Sequence, residues 1–184
     1  ALRVFYREKD EVDLSKVKPL ILGRLIGGPF GLLLLLNLSE KYLSISVGLI
    51  VLIAGAGSFF GWEINRNTLN SFFAGTFSGI FGMIAAIGGP PVALLYRNTK
   101  SQEFRPSLNS VFSIGILITL SLLILSGNLY FDHLLLFMLF LPIVLIGIRV
   151  SSSLFSKVSD SFIAQSVTYF SIISGLYVIF RNIN

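Results

Sequence analysis

The chain has 184 residues, of which 54% are hydrophobic and only 12% are charged, and its mean hydropathy is +0.83. A soluble domain carries about 25% charged residues, so this composition excludes an ordinary soluble protein and indicates an integral membrane protein. The absence of cysteine excludes disulfides, thiolate metal sites and a cysteine nucleophile, and one histidine disfavours a histidine-rich metal or proton-relay site.

Apolar stretches follow one another along the chain and predict an all-α polytopic membrane protein, with residues 1–184 in a single domain. The first 18 residues are polar and highly charged, without the apolar core of a signal peptide. At a rise of about 1.5 Å per residue, five stretches are long enough to cross a hydrocarbon core. These predicted full spans are 19–37, 43–60, 106–125, 134–150 and 162–180.

The first span contains Gly23, Gly27 and Gly31 at intervals of four residues. They share one face of a helix, and we expect them to let another helix approach closely. Arg24 lies about one turn into this span, and we expect its long side chain to reach the polar end of the helix by snorkelling. Contact with an anion is the alternative for Arg24.

The stretch between the second and third of these spans is broken. An apolar run at 71–87 meets the sequence GGPP at 88–91, and six further residues, 92–97, lead into a basic segment. A broken helix in an apolar environment is tolerated only where the break is buried in protein or lines a wet cavity. The break therefore predicts a binding site, with a structural hairpin turn as the alternative. We assign Ser78, Gly79 and Gly82 to helix packing.

The distribution of basic residues predicts that this broken stretch returns to the side from which it starts. If it crosses once, the loop lysines and arginines divide almost equally between the two sides. If it forms a re-entrant hairpin, the inside holds eleven of them and the outside only Lys41 and Arg181. The second arrangement obeys the positive-inside rule.

A weak internal repeat favours the same arrangement. An offset of 120 residues places Gly27 on Gly147 and Gly55 on Gly175. In the hairpin arrangement the two repeats have opposite orientations, as in many transporters. The repeat also predicts that about 70 residues of a complete protein, containing the partner of the broken stretch, precede this chain. A homodimer would otherwise have to supply the second half of the site.

The run SGIFGMIAAIGGPPVALLYRNTKSQEFRPSLNSVFSIG, with YREKDEVDLSKVKPLILGRLIGGPFG before it, resembles the TauE/SafE family of sulfite and organosulfonate exporters. The resemblance extends over the rest of the chain. It implies export of small sulfur-containing anions through two inverted halves in the inner cell membrane. The glycine-rich signature expected in the first half of that family is absent from this sequence.

The residue pattern itself predicts where an anion would bind. Glycines at the break would let a ligand approach the backbone, and free N–H groups near Val92, at the start of a half-helix, would attract negative charge. Small polar residues early in the following span could add neutral donors, or bond to other helices instead. The candidate substrate-binding residues are Gly88, Gly89, Pro90, Pro91, Val92, Asn109, Ser110 and Ser113, and Tyr96 and Arg97 are candidate gates or interfacial anchors.

We expect a transporter whose partners are a small anion, sulfite or an organosulfonate, and the lipid bilayer. No cofactor, no metal and no nucleic acid is expected. An enzyme is disfavoured because the spans contain no Asp, Glu, Lys or Cys for acid–base or nucleophilic chemistry. A structural or pore-forming subunit, a non-selective channel and a transporter of another small anion remain the alternatives.

Overall fold

The computed structural model describes residues 14–62, 64–96, 101–154 and 160–183. These residues form α-helices and, within the described ranges, no β-strand. The seven helices are α1 (Leu14–Asn37), α2 (Glu40–Phe59), α3 (Thr68–Ala85), α4 (Gly89–Leu95), α5 (Ser101–Leu125), α6 (Phe131–Leu154) and α7 (Asp160–Ile183).

The all-α, polytopic fold class is confirmed. Five helices contain stretches long and apolar enough to cross a membrane: Val17–Asn37, Glu40–Gly57, Thr68–Ala85, Pro106–Leu125 and Phe131–Val150. Four of the predicted spans are in this set. The fifth helix of the set is α3, the long arm of the predicted hairpin. The predicted span at 162–180 lies within α7, a 24-residue helix that is not in the set.

Glycines bring α1 and α3 into backbone contact, as the spacing in α1 predicts. A Cβ atom at Gly23 or Gly27 would collide with a backbone carbonyl of α3, and one at Gly75 with the carbonyl of Leu20. Gly31, further along α1, faces Met83, further along α3. Because the contacts advance in the same direction on both helices, α1 and α3 are parallel.

Helix α5 is parallel to α1 as well. Arg24 contacts Val111, and Gly28, one turn later, faces Ile118 and Leu122. Two helices that are both parallel to α1 cannot follow each other unless the chain between them returns to its starting end. Residues after α3 must therefore reverse direction, and α4 does so by packing back along α3. The re-entrant shape predicted from the basic residues is present.

The remaining helices lie outside this group. Helix α2 pairs with α7 in an antiparallel manner, through Gly48 against Gly175 and Gly55 against Ile172. Helix α6 is exposed at every residue from Phe131 to Val150, and its side chains are almost all apolar. Apolar surface of this kind suits contact with lipid tails.

A small apolar core fixes the short helix α4. Val92, Leu95 and Tyr96 are almost fully buried. They pack in a cluster with residues of α1, α3 and α5, namely Val17, Leu20, Ala74 and Val111. An isolated seven-residue helix is not stable in water, so this burial is what holds α4 in place. The core lies between the start of α1 and α4, which is the returning arm of the hairpin. By holding α4 in place, it also fixes the position of the break that precedes α4.

Candidate functional site

The long arm of the hairpin ends in a tight left-handed turn. Ala86 has a φ angle of 57°, its N–H group donates to the carbonyl of Gly82 at 3.1 Å, and the N–H of Ile87 donates to the carbonyl of Phe81 at 3.3 Å. Such a turn satisfies the last carbonyl groups of a helix and sends the chain sideways. It is usually made by glycine, because a Cβ atom is unfavourable in this conformation.

The chain then crosses over α3 and enters α4. The hydroxyl group of the fully buried Ser78 donates a hydrogen bond to the carbonyl oxygen of Gly88. Pro90 and Pro91 in the first turn of α4 set the helical backbone angle and lack N–H groups that would otherwise need partners. The carbonyl group of Gly88 is thus hydrogen-bonded within the protein, where a bilayer offers no water. Ser78, which the sequence analysis assigned to packing, is part of the turn itself.

A cavity of about 510 Å³ opens beside the turn, between α1, α3 and α5. Its wall is mostly apolar, and it contains one charged side chain among the described residues. The lining consists of Arg24, Gly82, Ala86, Ile87, Gly88, Gly89, Pro90, Phe112, Ile116, Thr119 and Leu120.

The position of Arg24 corrects the snorkelling expectation. The residue is only 6% exposed, and a guanidinium nitrogen lies 3.1 Å from the position that a Cβ atom would take at Gly82 and 3.2 Å from the corresponding position at Gly88. The Cα atom of Arg24 faces Gly79, which precedes Gly82 along the parallel helix α3. The side chain therefore extends towards the break, away from the polar N-terminal end of α1.

The break residues of the predicted site divide between three environments. Gly88, Gly89 and Pro90 line the cavity with Arg24. Pro91 lines a second, almost wholly apolar cavity of about 350 Å³ between α2, α3 and α4, which Pro90 also borders. Val92 is 0% exposed and belongs to the core cluster, so its backbone does not face the cavity as the sequence analysis expected.

The three polar residues of α5 that the sequence analysis proposed do not line the cavity. Ser110 is buried and donates to the carbonyl of Pro106 at 2.8 Å within its own helix. Ser113 is buried, and its hydroxyl group has no hydrogen-bond partner among the described residues. Asn109 is half-buried. The residues of α5 that do line the cavity are Phe112, Ile116, Thr119 and Leu120.

Of the two gate candidates, Tyr96 is described and Arg97 lies outside the described residues. Tyr96 is 1% exposed at the end of α4. Its hydroxyl group accepts a hydrogen bond from the guanidinium of Arg66 at 3.0 Å, and the Arg66 Cζ atom lies 4.1 Å from the ring centroid. This contact joins the end of the returning arm to the segment before α3. The contact thus holds the two ends of the hairpin next to each other.

Comparison with known families decides what kind of protein contains this hairpin. The family model Sulfite exporter TauE/SafE matches residues 1–178. The chain belongs to the TauE/SafE family. No curated protein and no solved structure matches the chain.

Members of the TauE/SafE family are membrane transporters of sulfur-containing anions, so the resemblance seen in the sequence is confirmed and the chain is a multi-pass membrane protein of a transporter family. The glycine–proline break therefore lies in a protein that has to pass a small anion through an apolar barrier. Sequence reasoning identified the break, but for Arg24 it favoured snorkelling and kept contact with an anion only as the alternative. The available signal was a charged residue inside an apolar span, which is a candidate for function by default.

Proposed function

We propose that this TauE/SafE protein exports a small sulfur-containing anion, such as sulfite or an organosulfonate, across the inner cell membrane. The anion binds in the cavity beside the break between α3 and α4. The observation that carries the proposal is that Gly88 and Gly89 line the same cavity as the buried guanidinium of Arg24.

The backbone at the break gives a ligand close access. Gly88 and Gly89 have no side chains and keep their N–H groups, whereas Pro90 and Pro91 have none to offer. The nearest atom to a Cβ position at Gly89 is Phe112 Cζ at 3.9 Å, so the space in front of this glycine is open. An anion can therefore approach the main chain at Gly89 without displacing protein atoms.

A re-entrant hairpin also suits transport. Its turn is positioned by packing against α1 and α5 and by one hydrogen bond from Ser78, so a small rearrangement of these helices would change which side the cavity faces. Discontinuous helices of this kind form the substrate sites of many transporters. A purely structural subunit has no need of a buried charge beside an open cavity.

Anion efflux from liposomes tests the proposal. The purified full-length protein is reconstituted, the vesicles are loaded with labelled methanesulfonate or sulfite, and release is followed against protein-free vesicles. We expect release by the wild type and its loss in Gly89→Leu, because the added side chain fills the cavity in front of residue 89. The matched control is Gly147→Leu on α6, where nothing lies within 4 Å of a Cβ position. Equal release with and without protein would refute the transport function.

A further inference from the structure

Arg24 has few partners for a buried cation. Its Nη1 atom donates to the carbonyl of Val111 at 3.4 Å, which is a long hydrogen bond, and its Cζ atom lies 5.4 Å from the ring centroid of Phe112. Arg24 makes no other hydrogen bond or ion pair with the described residues. A guanidinium has five N–H donors, so most of them are free to face the cavity that Arg24 lines.

No carboxylate whose side chain the structure describes forms an ion pair with this charge. The only acidic side chains that the structure describes, Glu40 and Asp132, lie in the first turns of α2 and α6. A buried charge that is neither paired nor hydrogen-bonded is strongly unfavourable in an apolar environment. A neighbouring anion would supply both the opposite charge and the acceptor atoms.

The helices around the guanidinium are shaped to accommodate it. A Cβ atom at Gly115 would collide with the Cζ and Nε atoms of Arg24, and one at Gly82 would lie 3.1 Å from Nη2. Glycine on two different helices thus leaves room for the planar head group. Packing of α1 against α5 alone would not require an arginine there, because the contact with Val111 is weak.

We propose that Arg24 is the residue that selects the substrate charge: its guanidinium binds one singly charged oxyanion, a sulfonate or hydrogen sulfite, against the backbone N–H groups of Gly88 and Gly89. This inference rests on the proposed transport function. Arg24 is the only charged side chain in the described lining of the cavity. One positive charge balances a monoanion, whereas a dianion would leave a net negative charge in an apolar cavity.

The binding geometry follows from the chemistry of the two groups. The planar fork of an arginine matches two oxygens of a sulfonate in a bidentate contact, which a lysine cannot reproduce. The mostly apolar wall, with Phe112 and Ile116, then faces the remainder of the molecule. The site therefore favours an anion with one charged end over a compact dianion such as sulfate.

The test measures methanesulfonate efflux as a function of concentration, with sulfate as the competing dianion. In Arg24→Gln we expect the KM for methanesulfonate to rise about 10- to 100-fold, as for loss of a charge-assisted hydrogen bond. The preference for methanesulfonate over sulfate should disappear in this variant. Arg24→Lys keeps the charge, so it should keep the preference for the monoanion with a smaller rise in KM. Lys41→Gln, which removes an exposed charge at the start of α2, is the matched control and should leave both quantities unchanged.

Gly115→Ala provides a test that keeps the arginine. The added methyl group displaces the guanidinium, so KM should rise without loss of Vmax. The role of Arg24 would be overturned if the wild type is active and both Arg24→Gln and Gly115→Ala keep its KM and its preference for methanesulfonate over sulfate. The same holds if both variants lose Vmax and thermal stability while KM and preference stay as in the wild type. An inactive wild type would instead refute the transport function itself.

Discussion

The hydroxyl group of Ser78 donates a hydrogen bond to the carbonyl oxygen of Gly88 and so joins the long arm of the hairpin to its turn. Substitution Ser78→Ala leaves this carbonyl without its partner in an apolar environment. We expect a loss of about 0.6 to 2 kcal/mol of stability, the range for hydrogen bonds between membrane helices. Thermal unfolding of the detergent-solubilised protein measures it.

The matched control for this substitution is Ser46→Ala. The Ser46 hydroxyl donates to the carbonyl of Tyr42 within α2, and that carbonyl also belongs to the regular bonding pattern of its helix. We therefore expect a smaller change in the unfolding temperature. An equal change in the two variants would mean that the Ser78 contact does not stabilise the turn.

The fold could be predicted largely from the sequence because hydropathy and charge act over long stretches. Four of the five candidate spans follow from length and apolar composition, and the return of the broken stretch follows from the side on which lysines and arginines collect. The glycine spacing of α1 predicts close approach by another helix, and the structure identifies this helix as α3, through backbone contacts at Gly23 and Gly27. These features can be predicted from the order of residues along the chain, without knowledge of contacts between distant segments.

The site could be predicted only in part because it depends on contacts between distant segments. The sequence shows that Arg24 lies near one end of a span, but not that Gly82 and Gly115 on other helices leave space for its head group. In the same way, Val92 follows the break in the sequence but faces the core, because α4 has only two turns and three helices pack around it.

The two glycines of the break should respond differently to the same substitution. A Cβ atom at Gly88 would lie 2.7 Å from the carbonyl oxygen of Ser78, and this oxygen cannot move without bending α3. At Gly89 the nearest atom is Phe112 Cζ at 3.9 Å. We expect Gly88→Ala to lower the unfolding temperature and expression clearly, and Gly89→Ala to be tolerated. The reverse order would show that the turn adopts a different path.

Packing of α1 on α3 gives a prediction about stability. Gly27→Ala introduces a methyl group against the carbonyl of Thr76, so the helices must separate, at a cost of about 1 to 3 kcal/mol typical of overpacking. Gly147→Ala on α6 introduces the same group where nothing lies within 4 Å. Unfolding temperatures of the two variants should differ by several degrees. Similar values would contradict the close contact between α1 and α3.

The contact between Arg66 and Tyr96 predicts that the hydroxyl group of the tyrosine stabilises the closed end of the hairpin. Tyr96→Phe keeps the ring under the Arg66 guanidinium but removes the hydrogen-bond acceptor at 3.0 Å. We expect a loss of about 1.5 to 3 kcal/mol, as for a hydrogen bond to a charged group. Tyr177→Phe on the exposed face of α7 is the control and should be neutral. Equal stability of the two variants would show that the hydrogen bond does not hold α4.

The parallel directions of α1, α3 and α5 predict the sidedness of the loops. Because α3 and α5 begin at the same end, the segment before α3 and the one before α5 must both lie on the side where α1 begins. The starts of α2 and α6 must lie on the opposite side. The chain contains no cysteine, so single cysteines can be introduced without background.

Labelling of intact cells and inverted vesicles with a membrane-impermeant maleimide tests this arrangement at four positions. Cysteines at Ile64 and Lys100 should react only from the cytoplasmic side, because basic residues collect there. Cysteines at Lys41 and Asn128 should react only from outside. If α3 and α4 crossed the membrane once, positions 64 and 100 would react from opposite sides. That result would remove the re-entrant hairpin and, with it, the cavity between the hairpin and α1.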